Sequence, residues 1–230
     1  NVKAIRAQEE HYHAELLREK AELNYLQAQV NPHFLYNALE NVCGMAAVGR
    51  TDLVTQTCGA LARLFQYAVR PGSAVPLEEE IRYAESYFYV MSQRHRDGLV
   101  LEVQADQEAR GVRVPKMMLQ PLVENAIIHG VADSDEGFIK LWAEEDAEGY
   151  LLLKVSDNGS GIPPEVLERL NSHELIPGGH LGLNNVDRIV RLSYGESCGL
   201  SAYPNEGGGS CVQLRLPMQK GEDHAQGTDR

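Results

Sequence analysis

The chain has 230 residues, 43% of them apolar, enough to bury one large core or two modest ones. Its formal net charge of −12 argues against nucleic acid or an anionic membrane surface as partner. Four scattered cysteines (Cys43, Cys58, Cys198 and Cys211) form no CxxC pair, which predicts reduced thiols in a cytoplasmic setting. No run approaches the roughly 18 apolar residues of a membrane span, and no signal peptide is legible. The first residue is not methionine and the chain opens in mid-helix, so a fragment is expected, with its upstream part cut away.

Residues 1–30 read as a charged amphipathic helix. Val2, Ile5, Tyr12, Leu16, Leu23, Leu26 and Val30 recur at coiled-coil spacing, interrupted by Glu9 and Glu19. Pro32 must kink or stop that helix, because it lacks an N–H and its ring clashes with the carbonyl four residues back. Asn31 as N-cap and Pro32 as first helical residue restart it, which puts His33 in a first turn that disfavours imidazolium. The spacing predicts a helix over 33–49 and a second over about 52–69. Such a helical hairpin dimerises into a four-helix bundle. Pro76 and the acids Glu78, Glu79 and Glu80 open a third helix.

From Gly98 the apolar period changes from 3.6 to 2, which places a domain boundary within 95–99. Strands are predicted at 99–103, 139–143 and 151–155, and a helix from Pro115 to about His129. Pro163 and Pro164 open a short helix, 171–180 is a glycine-containing loop, and 181–194 is helical. Leu200–Tyr203 and Cys211–Leu216 form a terminal hairpin, and residues 218–230 a disordered polar tail. The fold class is therefore α+β, helices first and then a layered sheet.

Three polar clusters interrupt apolar surroundings. Asn125, followed by His129, lies late in an apolar helix, and its amide oxygen is a hard ligand suited to a Mg²⁺ shared with phosphates. Asp157 follows a buried strand, where a carboxylate can accept from an amino group such as that of adenine. Gly159 and Gly161 let backbone pass close to a flat ligand. Gly178, Gly179 and Gly182 frame a helix start whose N–H groups can hold phosphate oxygens.

This succession resembles the cytoplasmic part of a sensor histidine kinase of the LytS/YehU type, with a GHKL (Bergerat) ATP-binding domain. The resemblance runs through LQAQVNPHFLYN, VPLEEEI, VPKMMLQPLVENAIIHG, VSDNGSGI, GLNNVDRIVRLSYG and GGGSCVQLRLP, roughly residues 23–217. It implies that His33 is the phosphoacceptor with Asn37 as polar support, and that Asn125 holds Mg²⁺. Asp157, Gly159 and Gly161 would receive adenine, with 171–182 as the ATP lid. His129, Gly179, Gly182 and Leu183 would complete the ATP site. The implied organisation is a coiled-coil signalling helix over 1–30, dimerisation and phosphotransfer helices over 31–97, a two-layer ATP-binding domain over 98–217, and the tail. The implied partners are a second copy and a cognate response regulator, on the cytoplasmic side of a membrane-anchored bacterial protein.

The sequence departs from the family pattern where Ile128 replaces a usual lysine three residues after Asn125, and where the second glycine box reads Gly179-His180-Leu181-Gly182. Phe34 follows the histidine where many relatives have an acid, so the general base is unassigned between Asn37 and Glu40. Two other readings compete. An ATPase of the same fold would need an acid where this chain has Pro121, and a degenerate nucleotide-binding scaffold would lack kinase activity.

Overall fold

The computed structural model describes residues 32–93, 98–132, 134, 136–176 and 181–218. The expected coiled coil over 1–30, Asn31, Gly178, Gly179, His180 and the tail from 219 lie outside the described residues. The chain divides into two compact units, Asn1–Thr55 and Gln56–Arg230.

The two predicted hairpin helices are present as α1, Pro32–Ala47, and α2, Thr51–Val69. Pro32 is the first residue of α1, the position where its missing N–H leaves no helical bond unmade. Gly49, at φ 74, makes the turn between them. Strand β1, Ala74–Pro76, leads into α3, Leu77–Ser92, which buries Leu77, Ile81, Ala84, Tyr87 and Phe88 at helical spacing.

The core of the second unit is a five-stranded sheet. Its strands are β2 (Val100–Ala105), β4 (Phe138–Glu145), β5 (Tyr150–Asp157), β6 (Gly199–Pro204) and β7 (Ser210–Pro217), in the order β2-β4-β5-β7-β6. Only β2 and β4 pair in parallel; the other pairings are antiparallel, and β6–β7 is the predicted hairpin. Period-2 patterning turns Ile139, Leu141, Leu151, Leu153, Val155, Leu214 and Leu216 to one buried face. Lys140, Trp142 and Lys154 alternate with them on the other face, with both lysines near the indole ring. Three helices complete the apolar layer: α5, Leu119–Asn125; α6, Pro164–Asn171; and α7, Leu181–Tyr194. Helix α7 packs on β6, β7 and α5.

The helix predicted from Pro115 to about His129 starts late, at Leu119, and changes type before it ends at Gly130. Pro115 closes a three-residue strand, β3 (Arg113–Pro115), which pairs antiparallel with β1. Met117 then takes a left-handed conformation, φ 67, before α5 begins. After Asn125 the chain widens into a π turn, Ala126–Gly130. A one-turn helix, α4 (Gln107–Gly111), was not expected either. All four cysteines are free thiols. Among the described residues no helix is long and apolar enough to cross a membrane.

Candidate nucleotide site

The site is built where three stretches of backbone cross at the end of β5. Gly130, which ends the π turn, lies against Gly159. A Cβ on Gly159 would stand 1.8 Å from the Gly130 carbonyl oxygen. From the other side Gly209 approaches so closely that its Cβ would stand 2.1 Å from the Asp157 carbonyl oxygen. Such spacing admits glycine alone. Ser160 fastens the first crossing, its N–H donating to Gly130 O at 3.1 Å and its hydroxyl to His129 O at 3.0 Å.

Between these crossings the Asp157 carboxylate is buried. Its Oδ1 accepts the Gly159 N–H at 3.0 Å, and its Oδ2 accepts the Ser210 hydroxyl at 2.9 Å. An ionised carboxylate offers about four acceptor positions, so two donors leave room for a further N–H such as an exocyclic amine. Asn205 supports the same corner by donating to Asp157 O and Ser156 Oγ, each at 2.8 Å. Neither Asn205 nor Ser210 was singled out from sequence. The signal lay in the glycine run 207–209, which was read only as a hairpin turn.

Asn125 ends α5, is 6% exposed and directly precedes the π turn that carries Ile128, His129 and Gly130. A π turn inserts one extra residue per turn and so redirects the side chains that follow it. Ile128 is 43% exposed, which removes it from the core, and His129 is exposed. Among the described residues no group of three or more His, Cys, Asp or Glu side chains could hold a metal.

Two residues of the loop before α7, His173 and Ile176, are fastened to that helix. Asn184 accepts the Ile176 N–H at 3.1 Å and donates to Ile176 O at 2.9 Å. His173, in left-handed conformation at φ 56, meets Asp187 at 3.1 Å. Gly182 lies in the first turn of α7, where a Cβ would press on Pro121 of α5 at 3.1 Å. The Leu183 side chain is core, so only its backbone can serve a ligand. Gly161 sits beside Gly209 at φ 78. In the first unit, α1 carries His33 in its first turn and Asn37, half-buried, one turn later. A separate groove of about 830 Å³ between α2 and α3, lined by Arg63, Tyr67, Arg82 and Tyr83, includes none of these residues.

Two family models match the chain: "Histidine kinase" over residues 21–99, and "Histidine kinase-, DNA gyrase B-, and HSP90-like ATPase" over residues 112–220. The sensor histidine kinase YpdA of Escherichia coli (strain K12) is 34% identical over 188 residues, 80% of this chain and 33% of that protein. The sensor protein kinase HptS of Staphylococcus aureus (strain USA300) is 29% identical over 214 residues, 91% of this chain and 40% of that protein. The chain thus spans a third to two fifths of the length of these curated relatives. The solved histidine kinase domain of the blue-light activated kinase of Erythrobacter litoralis is 23% identical. The match covers 89% of this chain and 96% of that one, with a TM-score of 0.46.

Proposed function

Because the chain belongs to the histidine kinase family, with an ATP-binding domain of the gyrase B and HSP90 kind, we propose that it transfers the γ-phosphoryl group of ATP to His33. The observation that carries this reading is the Asp157 corner: a buried carboxylate that accepts two hydrogen bonds and keeps acceptor capacity for a third, held in place by the close backbone crossings at Gly130, Gly159 and Gly209. Asp157 accepts the adenine amino group. Asn125 supplies one oxygen to a Mg²⁺ that offsets phosphate charge, and the N–H groups at the start of α7, around Gly182 and Leu183, hold phosphate oxygens. His129, exposed next to Gly130, completes the rim on the π-turn side.

In the transfer a ring nitrogen of neutral His33 attacks the γ-phosphorus. A P–N bond forms, the P–O bond to the departing ADP breaks, and the ring proton leaves to a base. Positioning and electrostatics supply most of the rate in such chemistry. A homodimer joined through α1 and α2 presents the histidine, and an aspartate of a response regulator receives the group. The parent protein is of the LytS/YehU type, with this part on the cytoplasmic side of a membrane.

The test is incubation with ATP labelled at the γ-phosphate. The parent should gain acid-labile, base-stable label, and His33→Ala and His33→Gln should gain none while binding Mg-ADP within a few-fold of the parent. Normal labelling of either variant would assign another acceptor. Label released as inorganic phosphate with none on protein would favour the ATPase reading.

A further inference from the structure

Glu80, 0% exposed, is one of the few charged side chains in the core. It sits on α3 and points at the start of α5. Its Oε1 accepts the Met117 N–H at 2.7 Å and the Tyr67 hydroxyl; its Oε2 accepts the N–H groups of Met118 at 2.8 Å and Leu119 at 3.0 Å. Three consecutive amides can converge on one carboxylate because Met117 is left-handed, which a residue with a Cβ adopts only under constraint. The Met118 and Leu119 amides, at the cap and first position of α5, are among those a helix start leaves without intrahelical partners, and an anion there is favoured. Burial pushes the Glu80 carboxyl up, against the pull of its amide and phenol donors.

The other members of the cluster belong to the end of α2. Tyr67 lies in its last turn, its ring 4.7 Å from that of Tyr83 and 4.9 Å from Lys116 Nζ. Lys116, also buried, donates to Ala68 O at 3.2 Å and Arg70 O at 2.6 Å, carbonyls at the C-terminal end of the helix. Residues 116–119 are therefore gripped twice within four positions. Lys116 is held by the end of α2, and the next three amides are held by Glu80, itself bonded to α2 through Tyr67. Asn125 follows six residues after Leu119 on the same short helix.

We propose that Glu80 is a positioning residue for Asn125, and that Tyr67 and Lys116 make the setting of α5 depend on where α2 ends. A displacement of the α2 end must either strip Tyr67 from a buried carboxylate, which is costly, or carry residues 116–119 with it. The second route moves α5 and with it Asn125, and so links the helix of the phosphotransfer hairpin to metal-assisted nucleotide binding. The inference rests on Asn125 being the Mg²⁺ ligand.

The test compares ADP affinity with and without Mg²⁺ for the full-length chain and for Glu80→Gln, Tyr67→Phe and Lys116→Met, well below each melting temperature. The parent should bind ADP more tightly when Mg²⁺ is added. Glu80→Gln should lose about five- to tenfold of that gain, and Tyr67→Phe and Lys116→Met about two- to fivefold each, at ~1.4 kcal/mol per tenfold. Metal-free ADP binding should stay within about twofold, since Asp157 lies elsewhere. Tyr67→Phe, which deletes one hydroxyl, serves if Glu80→Gln does not fold. An undiminished Mg²⁺ gain in the folded variants, with only their melting points lowered, overturns the proposal and leaves the cluster a purely structural one. A parent that gains nothing from Mg²⁺ removes Asn125 as ligand and the proposal with it.

Discussion

Replacing Gly159 by alanine tests the crossing on which the nucleotide corner depends. The added Cβ would stand 1.8 Å from the Gly130 oxygen, 2.2 Å from its carbonyl carbon and 2.9 Å from its Cα, all backbone atoms. Real Cβ atoms essentially never come within 3.0 Å of another heavy atom, so one strand of the crossing must retreat by at least 3.0 − 1.8 = 1.2 Å. That retreat breaks the two bonds from Ser160 to Gly130 O and His129 O. Overpacking costs about 1–3 kcal/mol and each lost hydrogen bond about 0.5–1.5, so the variant should be about 2–6 kcal/mol less stable. For a chain of this size that lowers the melting temperature by about 4–24 °C. Mg-ADP binding, measured by calorimetric titration in the cold, should fall as well, because Asp157 moves with the glycine. Gly161→Ala is the control: its Cβ would stand 3.3 Å from Gly209 O, and its φ of 78 makes it cost only about 1–2 kcal/mol. A Gly159 variant that melts no lower than the Gly161 variant would refute the close approach.

Ile128 stands where a cation is usual, and its 43% exposure lets a lysine reach water without disturbing the core. Ile128→Lys should leave the melting point nearly unchanged and tighten ATP by about 5- to 100-fold if the ammonium reaches the phosphates; unchanged affinity in a titration would show that it does not. Asp146 is held below the usual carboxylate range by the amides of Tyr150 and Glu148 and by Arg215. A depressed acid adds stability that is full above about pH 3.9 and lost as pH falls through the lowered value. The melting-point gap between the parent and Asp146→Asn should therefore be widest near neutrality and narrow as pH falls through the acid range; a gap constant with pH would contradict this. Light scattering should give twice the chain mass of 25.5 kDa, since α1, α2 and the turn between them expose Tyr36, Leu39, Val48 and Val69. A monomer at micromolar concentration would remove the dimer.

The parts of this site that were legible in the sequence are those that local chemistry writes in place. Asp157, Gly159 and Gly161 fall within five residues, and the alternation before them fixes which strand presents them. Helices α1, α2 and α7 were visible from their apolar spacing and from prolines and glycines at their ends. What was not visible depends on partners far along the chain. The β1–β3 ladder joins two three-residue segments almost forty positions apart, too short for any period to register. Ser210 and Asn205 reach Asp157 only because β7 lies beside β5. The left-handed residue before α5 is a methionine, so the glycine that normally marks such a turn was missing.

The acids at the start of α3 show how far a local rule carries. Glu78, Glu79 and Glu80 all fall in the first turn, and the helix dipole favours each of them alike. Successive helical residues lie about 100° apart, however, so three adjacent side chains leave in three directions. Glu78 turns to Arg110 and Arg82, and its carboxyl is held low first by the Arg110 hydrogen bond. Glu79 meets Arg70 at 2.6 Å on the surface. Glu80 turns inward, where burial raises its carboxyl, and satisfies the start of a different helix altogether. The dipole argument holds for all three and distinguishes none of them. The difference comes from what α3 packs against, and that is why the one acid placed to influence the nucleotide site could be recognised only once α5 was seen lying across it.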